Sequence, residues 1–288
     1  LLPCQTSLGQ SFPVPWVGWI PDFQHTRCSE YFSKHEIRVR NRRFQTLIDD
    51  ATLTLVSSQD AKKNLLSSFR AEPEKICVYS FSTHVGPDWL LLDPAQITEQ
   101  LKLPEKYLMF PSQFWKHKNQ LNLLMAIKQV KRQHSDIALV LTGSESDFRH
   151  PKYAAQIKTQ LTSPELRDQV FWLGLLGRYE QVQVMRRAAA IIQHSYFEGW
   201  SMLVEDCRAL GKQIILSDIP IHREQSPPDA TFFNPNDNQQ LSTILADRWP
   251  QLRPGPDRLK ENSAQHFLAE RHIANAASLI EIIDKAIQ

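Results

Sequence analysis

Two carboxylates and a glycine follow an apolar segment in the second half of the chain. The run Phe-Glu-Gly-Trp-Ser-Met-Leu-Val-Glu-Asp covers residues 197–206, and seven residues separate Glu198 from Asp206. A carboxylate can accept hydrogen bonds from paired sugar hydroxyls, whereas the free N–H groups at a helix start suit phosphate oxygens. The residue types and spacing therefore predict a site for a sugar joined to a diphosphate.

The elements around this run have to place those groups at one edge of a sheet. The pattern predicts a buried strand over 189–192, a helix over 201–210 that stops at Gly211, and a second strand over 213–216. In such a unit the helix starts at the carboxyl end of parallel strands, where ligands bind. We expect Gly199 to allow close backbone approach to a ligand and Ser201 to cap the helix.

A second block repeats this arrangement earlier in the chain. A predicted strand over 107–110 leads into Pro-Ser-Gln-Phe-Trp-Lys-His-Lys-Asn-Gln (111–120) and then into a helix with apolar Leu121, Leu124, Ile127 and Val130. Taken alone, Lys116, His117 and Lys118 would read as a solvated cluster before a helix. Combined with the Glu198 run, the block favours a phosphate role for Lys118, with Lys116 or His117 as further candidates.

Both blocks resemble the donor site of family 4 glycosyltransferases ("glycosyl transferases group 1"), which are retaining enzymes of the GT-B fold. Their usual Glu-Gly-Phe-Gly run has a second Glu eight positions after the first, where this chain has Asp206 preceded by Glu205, so either could hold the nucleotide ribose. Their usual Gly-Arg…Lys-Gly segment corresponds to Gln113, Lys118 and Asn119. Gln113 thus stands where a cation is expected.

The resemblance implies particular residue roles. It implies donor contacts by Gln113, Lys118, Gly174, Leu175, Glu198, Gly199, Trp200, Ser201, Met202, Leu203 and either Glu205 or Asp206, with the loop after Gly174 holding the base. The segment Trp-Ile-Pro-Asp-Phe-Gln-His (19–25) resembles the loop that carries an active-site His or Asp in the amino-terminal domain. His25 is the first choice and Asp22 the second, the alternative being a polar loop residue bonded to backbone. The implied catalytic set is His25, Asp22, Lys118 and Glu198.

The fold class expected is α/β of the GT-B type, with two Rossmann-like, doubly wound parallel-sheet lobes. We expect a partial amino-terminal, acceptor-side lobe over 1–83, a linker over 84–105, the nucleotide-sugar lobe over 106–255, and helices over 256–288 that pack back on the first lobe. The amino-terminal lobe is expected to be truncated, because the first methionine is Met109 and a Gly-rich first loop is missing. Segment 82–105 shows little periodicity, and Arg186 and Arg187 are expected to be surface charges.

Composition limits the partners. A net charge of +2 and the lack of an arginine-rich, aromatic-interleaved tract argue against nucleic acid. Four cysteines without Cys-x-x-Cys spacing favour a reducing cytoplasm, and no Asp-x-Asp pair is present to hold a metal-bound diphosphate. Arginines 38, 40, 42 and 43 on a predicted helix over 34–50 suit anionic lipid or a phosphorylated acceptor, or form a solvated face.

The function predicted is transfer of a sugar, with retention and without a metal or other cofactor, from a UDP-, GDP- or ADP-linked donor. The acceptor would be a saccharide or lipid-linked hydroxyl in cell-envelope polysaccharide or glycolipid synthesis, in the cytoplasm, with peripheral contact at the inner face of the membrane as an open alternative. A catalytically weakened sugar-nucleotide-binding module is one rival, favoured by Gln113 and the short front of the chain. A GT-B epimerase or phosphorylase is another.

Overall fold

The strands form two separate parallel sheets in the computed structural model, which describes residues 3–288. The first sheet has three strands in the order β1-β2-β3, and the second has six in the order β6-β5-β4-β7-β8-β9. Their bounds are β1 Val17–Trp19, β2 Leu53–Val56, β3 Ile76–Val78, β4 Leu108–Pro111, β5 Leu139–Thr142, β6 Val170–Trp172, β7 Ala190–Gln193, β8 Ile214–Ser217 and β9 Thr231–Phe233.

Apolar, β-branched runs explain why the central strands lie inside the second lobe. Every residue of β5, β7 and β8 is buried, as expected for parallel strands that are covered by helices on both faces. The two faces form separate clusters, one around Leu108 and Ile192 and the other around Met109 and Ile191. Successive residues of each strand therefore point to opposite helical layers.

The order of the second sheet reverses between β4 and β7. These two strands pair in parallel, with Leu108 opposite Ala190 and Met109 opposite Ile191. The chain runs outward from β4 to β6, returns, and then runs outward in the other direction from β7 to β9. Such a switch point leaves a crevice outside the carboxyl ends of the two central strands.

Three helices accompany the first sheet, namely α1 (Gln24–Arg27), α2 (Lys34–Asp50) and α3 (Gln59–Ser68). The predicted helix over 34–50 is confirmed by α2, whose start is fixed by a capping box between Ser33 and Glu36. Its buried face carries Phe44, Leu47 and Ile48 against the first sheet. Arg38, Arg42 and Arg43 are exposed, whereas Arg40 is half-buried and its guanidinium lies over the ring of Phe32.

Nine further helices complete the described chain. Four of them, α6 to α9, fill the crossovers between β4 and β8, and Gly211 ends α9 at φ +58°, as predicted. The bounds are α4 Pro87–Leu91, α5 Ala95–Gln100, α6 Gln120–Lys131, α7 Pro151–Leu161, α8 Arg178–Arg187, α9 Met202–Ala209, α10 Pro220–Gln225, α11 Asn238–Arg248 and α12 Arg258–Ile287.

The segment expected to be irregular, residues 82–105, is partly helical, so that aspect of the prediction was wrong. Pro87 opens α4 and Pro94 directly precedes α5, positions at which proline favours a helix start. Both helices pack against α8, and Ile97 and Leu101 cover the apolar cluster of the second lobe. Whether the segment acts as a linker between lobes stays a prediction.

The last helix, α12, packs against a helix of the second lobe and against strands of the first sheet. Its middle packs on α9, and near its end Ile282 and Ala286 are buried against Val17 and Leu55 of the first sheet. A helix of 30 residues is long enough to reach from one lobe to the other. This helix therefore connects the two lobes physically.

The prediction that Arg186 is a surface charge was wrong. Its side chain is fully buried, and Nε donates to Glu261 Oε1 at 2.6 Å. The guanidinium also donates to the carbonyl oxygens of Trp89, Leu90 and Leu92, which lie in and after α4. Arg186 thus joins α8, α4 and α12, and polar spacing on a helix could not distinguish this role from a solvated one. Arg187 is half-buried, with NH1 donating to the Gly255 carbonyl oxygen.

We predict that Glu261→Gln lowers the free energy of unfolding by about 3–5 kcal/mol, because it leaves the buried Arg186 charge uncompensated. Lys260→Gln, at the position before Glu261, is the matched control. It breaks an exposed ion pair with Asp229 and should lower the free energy of unfolding by less than about 1 kcal/mol. Equilibrium urea unfolding measures both. Equal stability of the two variants would contradict the role given to the buried pair.

Candidate functional site

A cleft of about 390 Å³ opens where the sheet order reverses. Its walls come from the segments after β4 and β7, the start of α9, and the loop after β1. The cleft brings together ten of the residues named from the sequence, namely Asp22, Gln113, Lys118, Glu198, Gly199, Trp200, Ser201, Met202, Leu203 and Asp206. His25, Gly174, Leu175 and Glu205 do not line it.

An ion pair between two crossovers forms the centre of the cleft. Lys118 Nζ donates to Glu198 Oε1 at 2.5 Å, although 80 residues separate them in sequence. Gln193, the last residue of β7, donates to the same oxygen at 2.6 Å. The ammonium group has three N–H donors, so Lys118 keeps donors for a further acceptor.

The charge of Glu198 is set by two opposing effects. Burial would raise the pKa of its carboxyl group, but the positive charge of Lys118 and its hydrogen bond bring the pKa below the ordinary value. Glu198 is therefore a carboxylate at neutral pH. A carboxylate held from one side by Lys118 and Gln193 still offers Oε2 to a hydroxyl donor.

Lys118 owes its position to a short helical turn over Lys116–Lys118 and to the residue that follows it. Asn119 lies in the left-handed region at φ 61° and ψ 35°, which Asn tolerates better than other non-glycine residues. Its side-chain amide donates to the Pro235 carbonyl oxygen at 3.2 Å. This conformation accounts for Asn at the position where the resembling family usually has Gly.

His117, the middle residue of this turn and also at the wall of the cleft, and His194, the residue after β7, are both buried. Burial, together with the adjacent Lys118, lowers the pKa of His117 to about 3, and burial lowers the pKa of His194 to about 4. Both rings are therefore neutral at neutral pH. Neither adds positive charge to the cleft, so His117 does not supply the cation that Gln113 lacks.

Helix α9 presents its first turn to the cleft. Ser201 is the N-cap, and its hydroxyl accepts a long hydrogen bond from Val204 N, so the predicted cap is confirmed. Met202 and Leu203, which follow, line the cleft. The first N–H groups of a helix have no partner within it and carry partial positive charge. They suit phosphate oxygens that approach from the Lys118 side.

The first lobe packs so closely on residue 199 that only glycine fits there. A Cβ at this position would lie 2.5 Å from the Pro21 carbonyl oxygen and 2.7 Å from Asp22 Cβ. The loop after β1 therefore rests directly on the Glu198 loop, and Ser58 Oγ donates to the Gly199 carbonyl oxygen at 3.3 Å. Trp200 adds a hydrogen bond from Nε1 to the Phe81 carbonyl oxygen at 2.9 Å. The close approach expected here is made by protein backbone.

The two carboxylates on α9 have different surroundings. Asp206 lines the cleft, where Arg178 donates to both of its oxygens at 2.6 and 2.7 Å and Thr83 Oγ1 donates at 2.5 Å. Glu205 is buried away from the cleft, with Arg271 NH2 2.9 Å from its Oε2. Burial raises the pKa of Glu205, against the opposing charges of Arg271 and Arg208.

His25 and Asp22, the two candidates from the first lobe, lie on different sides of their loop. His25 is buried between Phe32 and Phe44, and Nε2 is 2.9 Å from Asn41 Oδ1. Burial is the main reason that its pKa is lowered. Asp22 faces the cleft and touches the Glu198 loop. The geometry thus places the second choice, and not the first, next to Glu198.

Gly174 and Leu175 lie beside the site. Gly174 adopts φ +68°, and its carbonyl oxygen accepts a hydrogen bond from Gly143 N at 2.7 Å. Leu175 is 74% exposed. Their role in holding a nucleotide base stays a prediction. Gln113 is exposed at the cleft edge, and its carbonyl oxygen accepts from Gln120.

Sequence reasoning missed three polar residues at the site. Gln193 orients Glu198, Arg178 holds Asp206, and Gln24 lines the cleft with a buried amide. Gln193 could have been found as the polar residue that ends a buried strand. Arg178 and Gln24 gave no such signal, because their partners are distant in sequence.

Residues 3–288 contain no group of three or more His, Cys, Asp or Glu side chains arranged to hold a metal ion. Within the same residues, each helix is too short or too polar to cross a bilayer.

The chain is similar in sequence to a known glycosyltransferase. The O-antigen chain mannosyltransferase RfbU of Salmonella typhimurium is 25% identical over 191 residues, which cover 66% of this chain and 49% of that protein. The chain therefore spans about half the length of this curated relative.

Solved structures share the fold. HepE of Anabaena, in complex with UDP and glucose, superposes with a TM-score of 0.73 at 18% identity, covering 94% of this chain and 71% of that one. Sucrose-phosphate synthase of Thermosynechococcus elongatus gives 0.70 at 18% identity, covering 96% and 68%. The expected α/β architecture of the GT-B type is confirmed. The family model for glycosyl transferases group 1 matches residues 95–266, more than half of the chain, which therefore belongs to that family.

Proposed function

We propose that this protein transfers a glycosyl group from a nucleoside-diphosphate sugar to an acceptor hydroxyl, with retention at the anomeric carbon. The observation that carries the proposal is the Lys118–Glu198 pair, 2.5 Å apart at the switch point of the second sheet. One partner suits phosphoryl oxygens and the other suits sugar hydroxyls. A donor with both kinds of group fits this arrangement.

The reaction needs the diphosphate to leave with its negative charge stabilised. Lys118 and the N–H groups at Met202 and Leu203 would act on that charge, since all three residues line the cleft. Glu198 would hold the donor sugar through its hydroxyls. In the proposed retaining route the acceptor attacks from the same face as the departing diphosphate, which takes up the acceptor proton.

The acceptor would enter from the first lobe. Asp22 is the acidic residue of that lobe that lines the cleft beside the Glu198 loop, and we assign it the position next to the transferred sugar. RfbU is named an O-antigen chain mannosyltransferase, and HepE was crystallised with UDP and glucose. These names support a UDP- or related nucleotide-linked donor and an acceptor in polysaccharide synthesis. A cytoplasmic location, with basic helix α2 facing the membrane, belongs to the same proposal.

We predict that Lys118→Ala and Glu198→Gln each reduce transfer by on the order of 10²-fold, because each removes a preorganised contact to the donor. A radiolabelled-donor assay over UDP-, GDP- and ADP-linked sugars, using the longest natural form of the protein, measures this. Lys152→Ala, an exposed lysine away from the cleft, is the control and should be neutral. Donor binding without any turnover would instead support the weakened binding module.

A second prediction separates the two carboxylates of α9. Asp206→Asn should weaken nucleoside diphosphate binding about tenfold while leaving inorganic pyrophosphate binding unchanged, because it removes the proposed ribose contact and the ion pair with Arg178 but no contact to the phosphates. Glu205→Gln should lower thermal stability and leave both affinities intact. Titration calorimetry supplies the affinities. If Glu205→Gln, and not Asp206→Asn, weakened nucleoside diphosphate binding without affecting pyrophosphate binding, the ribose contact would belong to Glu205.

We also expect transfer to continue in excess EDTA, since Lys118 and the start of α9 supply the positive charge that the diphosphate needs. The assay compares rates before and after chelation, and again after Mg²⁺ is restored. A rate that falls with EDTA and recovers with Mg²⁺ would reject the metal-independent route.

A further inference from the structure

Arg149 occupies an unusual position between the two lobes. It lies in the loop between β5 and α7, and its guanidinium carbon is 4.5 Å from the ring centroid of Phe32 in the first lobe. It also lies 5.0 Å from the ring centroid of Trp115, which lines the cleft. Arginine thus stacks between aromatic side chains at the edge of the site.

The guanidinium of Arg149 has no carboxylate partner within ion-pair distance among residues 3–288, and its buried Nε has no hydrogen-bond acceptor there. The nearby acidic groups are engaged elsewhere. Asp147 accepts from three backbone N–H groups, Glu36 caps α2, and Asp22 accepts from Gln24 N. These carboxylates act on Arg149 electrostatically, but none of them forms a direct ion pair with it, so its N–H donors stay available to an anionic ligand.

Gln24 provides an independent sign of a missing ligand. Its side chain is 94% buried and lines the cleft, and Oε1 lies 3.5 Å from Arg149 NH1. Its Nε2 is buried and has no acceptor in the described chain. A buried N–H group without a partner is costly, so an oxygen from a bound molecule would satisfy it.

Two more cations lie over aromatic rings near Arg149. Lys116 Nζ lies 5.2 Å from the Tyr31 centroid, and the Arg40 guanidinium lies 5.0 Å from the Phe32 centroid. Neither is within ion-pair distance of a carboxylate in residues 3–288. We call Gln24, Arg40, Lys116 and Arg149 the Arg149 patch. It brings three positively charged side chains without a direct ion pair together between the two lobes.

We propose that the Arg149 patch binds a phosphoryl group carried by the acceptor. The planar guanidinium and the Gln24 amide offer donors for several oxygens, and a phosphoryl group has three oxygens and up to two charges, whereas a carboxylate has two oxygens and one charge. Gln24 lines the same cleft as Lys118 and Glu198. At its edge Arg149 and Lys116 of the second lobe meet Gln24 and Arg40 of the first lobe. The inference rests on the proposed function, because it assigns this phosphoryl group to the acceptor.

The test uses inorganic pyrophosphate as the probe and Lys118→Ala as the background, which weakens the donor phosphate contact. We expect this variant to retain a pyrophosphate site by titration calorimetry. Adding Arg149→Gln should weaken that site at least tenfold, and adding Arg149→Lys should restore part of the affinity. Arg42→Gln, an exposed arginine on α2 outside the patch, should change nothing. Circular dichroism and melting temperature verify that each variant folds.

The possible results separate this inference from the transferase proposal. Unchanged pyrophosphate affinity in the Arg149→Gln variant would overturn the phosphoryl site. If Arg149→Gln abolished binding to phosphatidylglycerol vesicles but left pyrophosphate affinity unchanged, the phosphoryl site would also be overturned, because the patch would then contact lipid headgroups. An Arg149-dependent pyrophosphate site in a protein that binds none of the nucleoside diphosphates would support the anion site while refuting sugar transfer.

Discussion

The contact between Lys118 and Glu198 depends on the reversal of strand order in the second sheet. Because β4 and β7 are neighbours, the turn after one and the loop after the other meet at the same edge. Had the sheet been wound in a single direction, β4 and β7 would not be neighbours, and the lysine and the carboxylate would lie farther apart. The apolar strands that exclude water from the sheet thus also determine which charges face each other above it.

This explains how much of the site could be predicted. Buried strands followed by polar turns identify the carboxyl edge, and the resemblance identifies which turns belong together, so Lys118, Glu198 and the start of α9 were found. The predicted strands over 107–110, 189–192 and 213–216 agree with β4, β7 and β8 to within one residue at each end, whereas the strand expected over 76–81, at the edge of the first sheet, ends at Val78 as β3. Short edge strands are weakly specified because fewer neighbours hold them.

Long-range polar partners could not be predicted. Arg186 and Glu261 are 75 residues apart, and Thr83 and Asp206 are 123 apart. On a helix, a buried polar residue has the same spacing as a solvated one, and only the folded chain shows which carbonyl oxygens or carboxylates surround it. The same limit applies to His25, whose loop gives no indication that its ring turns inward while Asp22 turns toward the cleft.

The surroundings of Asp206 constrain how a ribose could bind there. Oδ1 accepts from Thr83 and Arg178, and Oδ2 accepts from Arg178 alone. A carboxylate oxygen has two lone pairs, so Oδ2 keeps one position for a ribose hydroxyl without breaking any existing hydrogen bond. Thr83 precedes α4, so segment 82–105 helps to hold the carboxylate in this orientation. Together with the close approach of Asp22 to Gly199, this makes the shape of the cleft depend on both lobes.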